Sequence, residues 1–273
     1  MRLDKFTKLS VIAVMFAGID SGGALLGFWS VTDAHTQHYI LLFEFMTLSV
    51  LMLNSLLILR AVQSVPWRRM LATGCSTSLL LCILGDVVNF NLGNQYFAHS
   101  DVIKHDYLLD SVAFFAPGYA LLLLVMVYVL KHYYSNKSLL LAALLSCSVA
   151  TLSYISMVNL EAELYVVSVS YFYSLLISLI ATSGILLWYK YGMSAPLRIW
   201  LCAIGLVFAT IADSLIGVLW LFGNDGQGFY PLARELNWLL YIGSQSLVIH
   251  LPRVIELNQR KWQSTPNMVN PMS

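Results

Sequence analysis

Charge is what this sequence has least of. Of 273 residues, 11% are charged and 59% are hydrophobic, and the mean hydropathy is +0.74. A soluble domain carries about 25% charged residues, so a water-soluble globule is excluded and an integral, multi-pass membrane protein is expected. A net charge of +1 offers no basic footprint for nucleic acid. Cys75, Cys82, Cys147 and Cys202 lack Cys-x-x-Cys spacing and read as small packing residues. No Walker or dinucleotide glycine motif occurs, and no cofactor is expected. Every lysine lies in a connection or at the end of an apolar stretch, which disfavours a retinal Schiff base. His35, His38, His99 and His105 fall in or beside connections, and His132 and His250 near span ends. His35 and His38 have metal-like i, i+3 spacing, but in a short loop this is a weak signal, and no metal site is expected. A cleaved signal peptide is not expected either: the apolar run after Arg2, Lys5 and Lys8 continues to about Trp29 without a small-x-small site.

What is abundant is long apolar sequence. A helix needs about 20 such residues to cross a bilayer, and eight segments qualify, near 9–31, 38–60, 70–92, 107–130, 138–158, 165–189, 197–222 and 232–252. The expected fold class is an all-α polytopic bundle. Positive charge follows the cytoplasmic side. With the N-terminus inside, the inner segments hold Arg2, Lys5, Lys8, Arg60, Arg68, Arg69, Lys131, Lys137, Lys190, Arg198, Arg253, Arg260 and Lys261. Only Lys104 and Arg234 lie outside. Both termini are therefore expected in the cytoplasm, and the setting expected is a bacterial inner membrane. Residues 1–260 read as one membrane domain and 261–273 as a disordered tail.

Against this background the acids stand out. Asp86 and Asp213 lie deep in the third and seventh spans, where a carboxylate costs about 2.5–3.5 kcal/mol on insertion scales and marks a candidate site. Asp20 sits at similar depth in the first span, among Gly18, Ser21, Gly22 and Gly23. Each deep acid is followed by another near the outer start of the next span: Glu44 after Asp20, Asp110 after Asp86, Glu235 after Asp213. Small-residue sites follow at Pro117-Gly118 and Gly243-Ser244. The fifth span offers Ser146, Ser148, Thr151 and Ser153 but no acid. The pattern reads as four related hairpins with the third degenerate. Headgroup solvation is an equally simple reading for Glu44, Asp110 and Glu235, and interhelical hydrogen bonding is the plainer alternative for the deep pair.

Two buried carboxyls in one site acquire separated proton affinities, one serving as acid and the other as base. Asn89 follows Asp86 on the same helix face, Ser214 adjoins Asp213, and Asn237, Tyr241 and Gln245 form a polar stripe at i, i+4, i+8. Tyr165, Tyr171, Phe172 and Tyr173 read as interface belt and packing.

Three segments carry a family resemblance. Ile211-Ala212-Asp213-Ser214-Leu215-Ile216, with Tyr241-Ile242-Gly243-Ser244-Gln245-Ser246-Leu247, resembles the Ser-Asp-Ser…Tyr-x-x-Ala-Gln-x-Leu-Ile signature of the YhhN-type lysoplasmalogenase family. Leu84-Gly85-Asp86-Val87-Val88 resembles the Gly-Asp of that family's third helix. Ala212 replaces the usual serine and Ser244 the usual alanine. Phe114…Gly118-Tyr119 stands where a Phe-x-x-x-His-x-x-Tyr run is expected, so the histidine is missing. The resemblance covers about half the chain. It implies an eight-span hydrolase that cleaves the vinyl ether of lysoplasmalogens into an aldehyde and a glycerophospho-base. The expected site has Asp86 and Asp213 as acid and base. Asn89, Asp110, Tyr119, Ser214, Asn237, Tyr241 and Gln245 are expected around a lysophospholipid or other amphiphile, with Asp20, Glu44 and Glu235 as further members. A membrane sensor or a small-solute binding or transport protein is the competing reading.

Overall fold

The computed structural model describes residues 3–30, 33–92, 105–158, 162–221 and 231–257. The expected tail, 261–273, lies outside them, as do His99 and Lys104. The described residues form eight long helices: α1 Lys5–Leu25, α2 Gln37–Ala61, α3 Pro66–Asn89, α4 His105–Leu130, α5 Asn136–Met157, α6 Leu164–Tyr191, α7 Leu197–Ile216 and α8 Pro231–Val248. A π-type turn, Gly217–Leu221, continues α7, and a single-turn helix α9, Leu251–Val254, follows α8. Seven segments, those built on α1 to α7, are long and apolar enough to cross a membrane, and the chain is accordingly an integral membrane protein. The eighth, α8, is shorter at 18 residues and carries Arg234, Glu235, Asn237 and Gln245.

Local chemistry sets the helix ends. Asp4 caps α1 by accepting from the backbone N–H of Phe6 (3.1 Å) and Thr7 (2.9 Å), satisfying donors that the first turn leaves open. Ser135 caps α5 in the same way. Pro66 opens α3 at a position that needs no N–H. The first helix ends at Leu25, earlier than expected, because Gly27 takes a left-handed φ of 78°. The chain then folds back, and the Trp29 indole N–H donates to the backbone oxygen of Asp20 at 3.0 Å. A Cβ on Gly23 would fall within the Trp29 ring, so the small residues of this segment make room for that indole.

Seven helices close a ring in the order α1, α2, α3, α4, α6, α7, α8 and back to α1. Neighbours run antiparallel except α4 and α6, whose C-terminal ends meet through Tyr133–Tyr191 and Tyr134–Leu186 hydrogen bonds. Helix α5 stands outside the ring against α6. It exposes Leu140, Leu141, Leu144, Leu145, Val149, Leu152 and Ile155, an apolar face suited to lipid. Close approaches hold the ring. Ser78 Oγ donates to the Gly118 carbonyl at 2.7 Å between α3 and α4. A Cβ on Gly205 of α7 would press on Leu247 and the Ser244 carbonyl of α8.

Up-and-down order brings Lys5, Lys8, Arg60, Arg68, Arg69, Lys131, Lys137, Lys190, Arg198 and Arg253 to one end. There a polar clamp ties α1, α8 and α9, and Asn54 of α2 joins it by donating to Ser10 Oγ at 3.0 Å. Arg253 pairs with Asp4 at 2.9 Å, stacks on Phe6 at 4.2 Å and lies 3.1 Å from His250 Nδ1. Arginine only donates, so Nδ1 accepts and the ring proton sits on Nε2, 2.9 Å from Ser10 Oγ. Ser10 in turn donates to the Ser246 carbonyl at 3.0 Å. This imidazole therefore gives a hydrogen bond to the serine and takes none from it, which is the reverse of a nucleophile–base pair.

The clamp makes stability pH-dependent. Burial first, then the Arg253 charge, pushes His250 down to about 4 from 6.5. Between those values the unfolded chain binds a proton that the folded chain refuses, so stability falls as pH falls from about 6.5 to about 4. A shift of this size corresponds to about 3 kcal/mol. The hydrogen bond from Arg253 holds Asp4 well below its usual range. Its contribution is fully present above the unfolded carboxyl value and is lost as pH drops below about 4. Thermal unfolding in detergent should show Tm decreasing from pH 7 to pH 4.5 in the wild type. The slope should be much shallower in His250→Gln, and equal slopes would contradict this origin.

Candidate functional site

Inside the ring, in the half away from the basic end, lies a cavity of about 190 Å³. Helix α3 contributes Asp86 and Asn89, α7 contributes Asp213 and Ser214, and α8 contributes Arg234, Asn237 and Tyr241. Glu44 of α2, Phe115 of α4 and Tyr173 of α6 add to its polar and aromatic walls, and Tyr154 reaches it from α5. The volume would hold about six waters at liquid density and is below the roughly 300–1,000 Å³ of drug-sized pockets. It suits a small solute or the polar end of an amphiphile.

Asp86 and Asp213 are each held by a tyrosine. Tyr241 Oη donates to Asp86 Oδ2 at 2.8 Å. Tyr173 Oη donates to Asp213 Oδ2 at 3.2 Å. Tyr119, fully buried behind the lining, packs on Tyr173 with ring centroids 6.2 Å apart, and its hydroxyl makes no hydrogen bond among the described residues. The Phe115 ring meets Tyr241 edge-on, with centroids 6.1 Å apart. Gly85 makes this possible, because a Cβ there would fall 2.7 Å from Phe115. The two aspartates line the same cavity from different helices. Carboxyls that open to one cavity can move a proton to and from a bound molecule.

A second cluster borders the first. Arg234 is 9% exposed. It donates through Nη2 to Glu44 Oε1 at 2.6 Å and through Nη1 to Glu235 Oε1, and Asp20 Oδ2 lies 3.7 Å away. Glu44 and Glu235 are therefore not headgroup-solvated but buried around a guanidinium, and Asp20 joins them from α1.

The other expected site residues divide. Asn89, Ser214, Asn237 and Tyr241 line the cavity with Asp86 and Asp213. Asn237 has its Oδ1 buried without a partner among the described residues. Asp110 is exposed, and Tyr119, Gln245, Asp20 and Glu235 lie outside the lining. Sequence reasoning missed Tyr173, which sits in the aromatic run of α6, and Arg234, read there as an outer-connection charge. The available signal for Arg234 was its place beside Glu235 in an apolar helix. Comparison with family models, curated proteins and solved structures finds no match.

Proposed function

We propose that this chain is a membrane-embedded lipid hydrolase acting on the vinyl ether of a lysoplasmalogen, with eight spans from four related hairpins and both termini in the cytoplasm. The observation that carries the reading is the pair of tyrosine-held aspartates facing one cavity from α3 and α7. Vinyl ether hydrolysis needs a proton delivered to the vinyl carbon. That step leaves an oxocarbenium-like cation, which a nearby carboxylate stabilises and water captures. Asp86 and Asp213 supply donor and anion, and Asn89 and Asn237 offer hydrogen bonds to water or headgroup. The hemiacetal then collapses to an aldehyde and a glycerophospho-base. The basic end supports the cytoplasmic placement of the termini, and a bacterial inner membrane is the setting proposed.

The modest cavity volume favours a second reading, a non-enzymatic sensor or a small-solute binding or transport protein. One comparison separates the two. Purified protein should release aldehyde from a lysoplasmalogen and leave the corresponding ester-linked lysophospholipid intact. Saturable binding of an amphiphile without product would support the second reading instead.

A further inference from the structure

The cluster around Arg234 holds more acceptors than donors. Three carboxyls from three helices meet one guanidinium: Asp20 from α1, Glu44 from α2, and Glu235 beside Arg234 on α8. With all groups ionised the formal charge is −2, three acids less one arginine. Arg234 satisfies one oxygen of Glu44 and one of Glu235. Asp20 is fully buried, and among the described residues neither of its oxygens meets a hydrogen-bond donor, nor does Glu235 Oε2. The Trp29 indole goes to the Asp20 backbone oxygen and leaves the carboxyl unserved.

An ionised carboxylate in a low-dielectric interior is tolerated when paired and hydrogen-bonded, and is expensive otherwise. Three species relieve such a site: a water, a metal ion or a proton. Asp20 does not border the cavity and is closed to solvent, which disfavours water. The described residues contain no group of three or more ligands arranged to hold a metal ion. The proton needs no void and no coordination sphere, and it supplies the donor that the open oxygens lack.

We propose that the Arg234 cluster is a proton-binding site, with Asp20 carrying one proton at neutral pH. Proton uptake takes the cluster from a formal charge of −2 to −1, leaving Glu44 and Glu235 ionised against Arg234. Glu44 and Arg234 also line the cavity, so the proton exchanges by that route, and the cavity's occupant and the proton are linked. An anion brought against Arg234 favours proton uptake, and a cation brought against Glu44 favours release. The site rests on its own geometry and holds whether the cavity hydrolyses a lipid or binds a solute.

Asp20→Asn in the full-length chain, in lipid nanodiscs at pH 7, tests it. Asparagine matches the shape and charge of a protonated aspartic acid. The expected result is a wild-type infrared carbonyl band of protonated carboxyl, part of which is missing from Asp20→Asn and retained in Asp86→Asn, with Tm unchanged by Asp20→Asn. A carbonyl band identical in wild type and Asp20→Asn would overturn the proposal. So would a large drop in Tm or failure of Asp20→Asn to fold, because either would mark Asp20 as an ionised partner of Arg234.

Discussion

Asp86→Asn should reduce aldehyde release from lysoplasmalogen by about 10³-fold, within the range general acid–base groups supply. The substitution keeps the side chain's shape, and its amide oxygen still accepts from Tyr241, so the cavity and its aromatic wall should survive. What is lost is the exchangeable proton. Substrate affinity should change little, which places the loss in kcat and not in KM. Asp213→Asn should fall into the same range, and the double variant should lose little more than either single one, since the two act as a unit. Full activity in Asp86→Asn would remove Asp86 from the chemistry.

Arg234→Gln should be the most destabilising single change among the polar residues. It removes the one cation from three buried acids, and breaking a buried ion pair from one side costs about 3–5 kcal/mol. Unfolding in detergent at pH 8 should show a large fall in Tm. Adding Glu44→Gln should restore part of the loss, because removing both partners leaves fewer groups unsatisfied than removing one. A single variant as stable as wild type at pH 8 would show that the cluster is not held by Arg234.

The legible part of this molecule was what a bilayer penalises. Long apolar runs mark the helices, and Asp86 and Asp213 stand out because carboxylates are costly there. Their placement on one cavity agrees with the depth read from span position. Partner choice was not legible. Glu44 and Arg234 are 190 residues apart and meet only because the ring closes through α1 and α8. Tyr173 is one aromatic among several on α6, and only the packing of α6 on α7 aims it at Asp213. Helical geometry also limits a stripe read at i, i+4, i+8. At 3.6 residues per turn a residue eight positions on lies about 80° round from the first, so Tyr241 reaches the cavity and Gln245 does not. The third hairpin's missing acid has a spatial counterpart: α5 stands outside the ring, with little of its length turned toward the cavity.

The measurement that bears most directly on the proposed hydrolase is turnover of lysoplasmalogen in D₂O by the purified full-length chain, with the products read by mass spectrometry. Proton transfer to the vinyl carbon should yield a fatty aldehyde carrying one deuterium on the carbon next to the carbonyl, together with the glycerophospho-base. The product should be absent in Asp86→Asn. Intact lysoplasmalogen after prolonged incubation with folded protein, or the same aldehyde yield from Asp86→Asn, would contradict the account.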